Sequence, residues 1–239
     1  MNFIEIPKVE LHIHLDCSLS FDVVKKINPN ITKPQFIDQF IGTKCNSLKD
    51  YIKCADRAVE LMQTKKELEL VTSDLFKQLK EDNVIYAEIR FAPLLHLDKG
   101  LSSHEVVKII SQITKKESSK TGIDAGLILC TLRHYSEQQS METVNLANDF
   151  KGSNVIGFDL AADEGGYPIK NHIKAFKFAN DNNINCTAHA GEALGPESIN
   201  ETLDQLKPKR IGHGVRSCLL YTSDAADEGL GVDLGGRRI

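Results

Sequence analysis

Long apolar runs and secretory patterns are missing from this sequence of 239 residues. A membrane-spanning helix needs about 20 mostly apolar residues in a row, and no run approaching that length is present. The first residues, MNFIEIPKVE, also lack the basic-then-apolar order of a secretory signal. We therefore expect a cytoplasmic protein that has no membrane partner.

Three further features are absent, and their absence limits the kinds of ligand that the protein could bind. The six cysteines show no CxxC spacing and are too sparse for a disulfide framework, so we expect reduced thiols in and around a core. The formal net charge is -4 and no basic stripe with interleaved aromatic residues occurs, which argues against a nucleic-acid partner. Neither GxGxxG nor GxxxxGK(S/T) follows the first strand pattern, so a nucleotide-phosphate loop is not supported. We expect a small substrate.

The sequence does contain a regular alternation of strand and helix patterns. Short runs rich in β-branched residues predict six strands, at 9–14, 84–92, 125–133, 155–161, 185–190 and 210–215. Apolar residues at helical spacing predict helices between them, at 65–83, 102–122, 136–150 and 169–183. The second of these helices begins at a capping box from Ser102 to Glu105. Strict alternation of this kind predicts a parallel sheet.

Two closures of such a sheet compete, an open doubly wound sheet and a (β/α) barrel. Four of the six strand patterns end in polar residues that are able to do chemistry, in the strings HIHLD, DLAADE, HAGE and GHG. A barrel keeps its active site at the carboxyl ends of its strands. We therefore predict an α/β fold, a (β/α)8 TIM-type barrel truncated to about six β/α units over residues 1–217. Residues 17–83 would form a helical insertion after the first strand, over the barrel mouth.

Histidines at these strand ends form the candidate site. Side chains two residues apart in a strand face the same way, so His12 and His14 converge on one point. His189 and His213 lie at or just beyond two later strand ends, and Glu192 follows His189 closely. Two or three imidazoles with a nearby carboxylate are typical of a hydrolytic zinc site. The remaining histidines are expected to be structural: His96, His104, His134 and His172.

Four strings, PKVELHIHLD, DLAADE, AHAGE and RIGHGVR, in this order resemble the adenosine deaminase family of the amidohydrolase superfamily. The string EIRFAPLLH also resembles that family's second strand. The resemblance runs from residue 6 to residue 217. It implies zinc-dependent hydrolytic deamination of adenosine, and of 2'-deoxyadenosine, to inosine and ammonia in purine salvage or catabolism.

The resemblance implies a role for each catalytic residue. His12, His14 and His189 would bind one Zn²⁺ per subunit. Glu192 would donate a proton to the purine ring nitrogen next to the attacked carbon. His213 would orient the attacking water and help to deprotonate it. The oligomeric state stays open, and the implied partner is a small nucleoside.

The resemblance also implies substrate contacts by His14, Asp16 and Ala162. Asp16 would bind the ribose hydroxyl. Ala162 stands where the family has glycine, and its methyl group would crowd a backbone contact to the purine. Cys17 replaces another usual glycine, and we interpret it as a tolerated substitution.

Other substrates and other classes of protein remain as alternatives. The substrate could be a related purine, namely adenine, N6-modified adenosine or AMP, although an acidic Asp16 would repel phosphate at short range. A two-metal amidohydrolase would need a bridging lysine at the end of the fourth strand, and VIGFDLAADE has none. A binding module without catalysis is the alternative from another class.

The last residues of the sequence do not continue the pattern. The family's further zinc ligand, an aspartate after the last barrel strand, has no counterpart up to Ser217. Residues 218–239 are rich in small residues and glycine and resemble the conceptual translation of a transposon-type sequencing adapter. We predict that this tail is non-native and that it does not supply the missing ligand through Asp224, Asp227 or Asp233. The chain as written would then be an inactive truncated fragment with exposed sheet edges.

Overall fold

Six parallel strands form the centre of the molecule. The computed structural model describes residues 5–41 and 45–217. The strands are β1 (Lys8–His14), β2 (Val84–Phe91), β3 (Asp124–Leu132), β4 (Val155–Ala161), β5 (Cys186–Ala190) and β6 (Arg210–His213). All six predicted strands are confirmed, with ends that differ by two residues at most. The predicted tail at 218–239 lies outside the described residues.

Eight α-helices accompany these strands in the part of the chain that the structure describes. They are α1 (Phe21–Ile27), α2 (Lys33–Phe40), α3 (Leu48–Glu60), α4 (Lys65–Glu81), α5 (Ser103–Thr121), α6 (Glu137–Asp149), α7 (Ile173–Asp181) and α8 (Pro196–Leu206). Short 3₁₀ turns occupy Leu15–Cys17, Pro93–Leu95 and Ile169–His172. The four predicted helices correspond to α4, α5, α6 and α7. None of the described helices is both long enough and apolar enough to cross a bilayer.

Strand order decides between the two closures. Each strand pairs in parallel with the next in sequence, in the order β1-β2-β3-β4-β5-β6. A doubly wound sheet would reverse direction at a switch point, whereas consecutive order with a single direction of travel is the barrel arrangement. The chain therefore folds as six strands of a TIM-type barrel. The register also aligns the carboxyl ends of the strands, since Leu132 pairs with Ala161 and Ala190 pairs with His213.

Local sequence signals explain where the helices begin. In α5 the Ser102 hydroxyl accepts a hydrogen bond from the N–H of Glu105, and the Glu105 carboxylate accepts one from the N–H of Ser102. This is the predicted capping box, which satisfies two otherwise unpaired N–H groups. Gly122 follows the helix with a φ of +77°, a conformation that glycine adopts without a steric penalty.

The core lies between the barrel strands and the helices that surround them. β3 is buried from Ala125 to Leu132, as expected for a strand covered on both faces. Phe158 on β4 packs with Phe176 on α7, with ring centroids 4.9 Å apart. Most of the apolar side chains that a soluble fold must bury lie in this layer, and the strand ends are left to polar residues.

The helices α1 to α4 occupy the predicted insertion between β1 and β2. α4 is the crossover helix, and it packs extensively against α5. α3 contributes Leu48, Tyr51, Ile52, Ala55, Asp56 and Val59 to the wall of a cavity at the carboxyl ends of the strands. The insertion therefore does place a helix over the barrel mouth, as predicted.

Candidate metal centre and active site

Three imidazoles converge at the carboxyl ends of β1 and β5. The Nε2 atom of His189 lies 3.0 Å from Nε2 of His12 and 3.1 Å from Nε2 of His14. Alternation along β1 turns both of its histidines to the same side, as the sequence predicted. The barrel then brings His189 to them from a strand more than 170 residues later.

Burial keeps the rings of His12 and His14 neutral. Burial lowers the pKa of His12 to about 3, with a further contribution from the nearby Arg90 guanidinium. Burial likewise holds the pKa of His14 well below its usual value. A neutral imidazole carries a free lone pair on one ring nitrogen, which is the form that binds a metal ion. Both rings are therefore ready to act as ligands at neutral pH.

A buried carboxylate orients the third ring. Oδ2 of Asp159, on β4, lies 3.0 Å from Nδ1 of His189 and 3.2 Å from Nη1 of Arg90. The Thr187 hydroxyl also donates to Oδ1 of Asp159 at 2.5 Å. Burial alone would raise the pKa of Asp159, but the His189 ring and the Arg90 guanidinium hold it well below its usual range. A carboxylate this close to Nδ1 favours the tautomer that carries its proton on Nδ1 and leaves the Nε2 lone pair facing the site.

The donor set fits a zinc ion. A tetrahedral site with Zn–N bonds of about 2.0–2.1 Å places neighbouring nitrogens about 3.3 Å apart. The observed separations of 3.0 and 3.1 Å are close to that value. Among the described residues, the ring nitrogens that all lie within 4.8 Å of one another are those of His12, His189 and His213. His14 is outside this group, although its Nε2 lies 3.1 Å from that of His189. His213 therefore borders the same centre, next to the three rings that the sequence assigned to the metal.

The pair expected to handle protons lies beside this centre. Oε2 of Glu192, in the loop after β5, is 3.5 Å from Nε2 of His213 at the end of β6. Burial raises the pKa of Glu192 and lowers the pKa of His213, so each group is biased towards its uncharged form. A protonated carboxyl can donate, and a neutral imidazole can accept.

Close packing explains the glycine before His213. A Cβ atom on Gly212 would lie 2.7 Å from Cε1 of His12 and 3.2 Å from Nδ1 of the same ring. His213 itself has a φ of +67°, which is costly for a residue with a side chain. In the GHG string, Gly212 therefore permits a close approach to the His12 ring, and the strained backbone of His213 sets the direction of its own ring.

The three imidazoles and both proton-transfer candidates line a cavity of about 380 Å³. Its wall is mixed: α3, Leu95 and Leu132 supply apolar surface, and Asp16, Asp56 and Glu192 supply carboxyl groups. Among the described residues that line it there is no lysine or arginine. The cavity is therefore shaped for a partly apolar ligand without a large negative charge.

The predicted substrate contacts are also in this wall. Asp16 is buried, and burial raises its pKa to about 6. Ala162 has a φ of +80°, the region that favours glycine, so its methyl group strains the backbone there. Cys17 lines the cavity next to Asp16.

The remaining histidines separate into two groups. His96 and His172 are fully buried, with ring nitrogens 3.0 Å from the carbonyl of Met62 and from the hydroxyl of Ser140, respectively. The ring of His104 packs on Phe150. His134, in contrast, lines the cavity and was missed by sequence reasoning because its partners come from distant segments.

The fold and the site together define a class: a β/α-barrel protein with a histidine-rich candidate metal centre at the carboxyl ends of its strands. A family model of adenosine deaminase matches residues 7–222. An adenosine deaminase of Clostridium acetobutylicum is 39% identical over 220 residues, covering 89% of this chain and 66% of that protein. The chain therefore belongs to the adenosine deaminase family, whose members are hydrolases acting on C–N bonds. It spans about two thirds of the length of that relative.

Solved structures agree with the fold. An N6-mAMP deaminase of Arabidopsis superimposes with a TM-score of 0.77 at 26% identity, over 88% of this chain and 66% of that one. An adenine deaminase of Arthrobacter aurescens gives 0.80 at 22% identity, over 92% and 68%. A Burkholderia ambifaria amidohydrolase with bound Zn gives 0.80 at 20% identity, over 95% and 64%. The last two likenesses concern the fold alone.

Proposed function

We propose that the whole protein deaminates adenosine, and 2'-deoxyadenosine, to inosine and ammonia in a zinc-dependent hydrolysis, within purine salvage or catabolism. The observation that carries the proposal is the approach of the His189 ring to those of His12 and His14, with Glu192 and His213 in the same cavity. Family membership supports the reaction class. A cytoplasmic location stays a prediction from the sequence.

His12, His14 and His189 would hold the zinc ion, whose Lewis acidity makes water nucleophilic near neutral pH. Asp159 keeps the His189 ring in the tautomer that this binding requires.

Proton transfer falls to Glu192 and His213. Glu192 is held towards its protonated form and would donate to the purine ring nitrogen beside the attacked carbon, where negative charge develops. His213 is held towards its neutral form and would orient the attacking water and accept its proton. Their separation of 3.5 Å supports roles for both groups at one small reacting centre.

The cavity wall supports a nucleoside over a nucleotide. Asp16 would accept a hydrogen bond from a ribose hydroxyl, and the apolar face of α3 would cover the base and exclude water. Asp16 and Asp56 would repel a phosphate, and no lysine or arginine among the described lining residues would neutralise it. This argues against a nucleotide substrate, such as the one in the name of the Arabidopsis N6-mAMP deaminase.

The test uses the whole protein and compares adenosine, 2'-deoxyadenosine, adenine, AMP and N6-methyl-AMP as substrates, with turnover followed by ultraviolet absorbance. Glu192→Gln should lower kcat for adenosine by about 10²- to 10⁴-fold, the usual contribution of a general acid. Glu201→Gln, an exposed change on α8, is the matched control and should leave kcat unchanged. Undiminished turnover in Glu192→Gln would refute the assignment of the proton donor, and faster turnover of AMP than of adenosine would refute the substrate.

A further inference from the structure

The carboxylate of Glu164 is buried behind residues 191–194, the segment that carries Glu192. Glu164 lies in the segment after β4 and is 2% exposed. It accepts hydrogen bonds from four consecutive backbone N–H groups, those of residues 191–194, and from the hydroxyl of Ser198. The donor distances are 2.7 Å for Gly191, 2.9 Å for Glu192, 2.6 Å for Ala193, 3.0 Å for Leu194 and 2.5 Å for Ser198.

These bonds hold a segment that has no regular secondary structure. Residues 191–194 connect β5 to α8, and they are neither helix nor strand. Gly191 is buried and residues 192 and 193 are partly buried, so an unpaired N–H there would be costly. Glu164 supplies a partner to all four, using both of its oxygens. The conformation of the segment therefore depends on one side chain from a different loop.

The segment carries the expected proton donor. Glu192 has its backbone N–H fixed by Glu164 and its own side chain in the cavity wall, 3.5 Å from His213. We propose that Glu164 is a positioning residue, which holds the backbone of residues 191–194 so that the Glu192 carboxyl reaches the substrate. The inference rests on the proposed function for the role of Glu192.

The charge of Glu164 is consistent with this role. Burial would raise the pKa of Glu164, but the hydroxyl of Ser198 and the backbone N–H groups outweigh it and lower the pKa to about 2. The carboxylate is therefore ionised at neutral pH and accepts all five bonds at once. After burial, the nearby Glu164 charge is also one of the causes that raise the pKa of Glu192.

The first readout is amide hydrogen exchange, which needs no activity. Glu164→Gln replaces one acceptor oxygen with an NH₂ donor that faces N–H groups, so the amides of residues 191–194 should exchange at least about ten-fold faster. Exchange in β3 should stay unchanged. Asp163→Asn is the matched control, because it removes a neighbouring charge that accepts only a local bond from the N–H of Gly166.

The second readout is kinetic. Glu164→Gln should lower kcat by about 10- to 100-fold, as is usual for groups that orient catalytic residues, with KM changed by less than about three-fold. Asp163→Asn should match the parent protein. Glu164→Asp keeps the charge but is one methylene shorter, so it provides a folded variant with the same local loss if Glu164→Gln fails to fold.

Unchanged exchange at residues 191–194 in both Glu164 variants would overturn the proposal, and so would a uniform rise in exchange across the barrel. Equal losses in Glu164→Gln and Asp163→Asn would also overturn it. If the parent protein deaminates none of the tested purines, the proposed function fails, while exchange still decides whether Glu164 holds the segment.

Discussion

The substitution Gly212→Ala should disable the histidine centre while leaving the fold intact. The added Cβ would lie 2.7 Å from Cε1 of His12, about 0.7 Å inside the shortest ordinary contact. Gly212 lies in β6, in register with His189 on β5, so the backbone cannot yield without disturbing the strand pairing. The His12 ring must therefore move instead, towards the cavity.

The structure sets the size of the effect. A ring shift of about 0.7 Å exceeds the tolerance of about 0.5 Å that a metal or catalytic site allows, and it is about a quarter of the 3.0 Å between Nε2 of His12 and Nε2 of His189. We expect zinc affinity to fall by about 10- to 100-fold and kcat/KM for adenosine to fall by about 100-fold. The free energy of unfolding of the metal-free protein should fall by only about 1 kcal/mol, because the cavity leaves room for the ring.

The assay measures zinc content after dialysis against a competing chelator, together with kcat/KM and urea unfolding. Gly165→Ala is the matched control, since its Cβ would meet only Oδ1 of Asp163, at an ordinary 3.7 Å. Zinc content and kcat/KM equal to those of the parent protein would refute the close approach of Gly212 to His12. A loss of several kcal/mol in stability would show that β6, and not the ring, absorbs the strain.

Three further predictions concern stability. Ala162→Gly should raise the free energy of unfolding by about 1 kcal/mol, because glycine tolerates a φ of +80°. Asp159→Asn should lower it by about 3–5 kcal/mol, because Arg90 would remain buried without its partner. The depressed pKa of Glu164 contributes stability that is fully present above its unfolded-state pKa of about 4.5 and is lost as the pH falls towards 2. The loss amounts to about 3 kcal/mol.

Urea unfolding checks all three. A less stable Ala162→Gly would contradict the strain argument. Thr187→Val removes only the hydrogen bond from the Thr187 hydroxyl to Asp159, so it should lower the free energy of unfolding by less than Asp159→Asn does. For Glu164, stability measured between pH 5 and pH 2 should fall less steeply in Glu164→Gln than in the parent protein. Parallel pH profiles would contradict the pKa assignment.

Local patterns were sufficient for much of the fold. The alternation of β-branched and amphipathic runs predicted every described strand, and the Ser102–Glu105 capping box is where the sequence placed it. These features depend on neighbours a few residues apart, which the sequence shows directly. The order of the strands, which separates a barrel from a doubly wound sheet, depends on pairing between distant segments and was seen only in the structure.

The same division holds within the site. The sequence by itself determined that His12 and His14 share one side of a strand, because that follows from a two-residue period. It also supplied the motifs that identify the family. Only the tertiary structure decided that Asp159 orients His189, that Glu164 holds residues 191–194, and that His134 faces the cavity. Each of these contacts joins segments that the tertiary fold brings together, and no local pattern encodes such a distance.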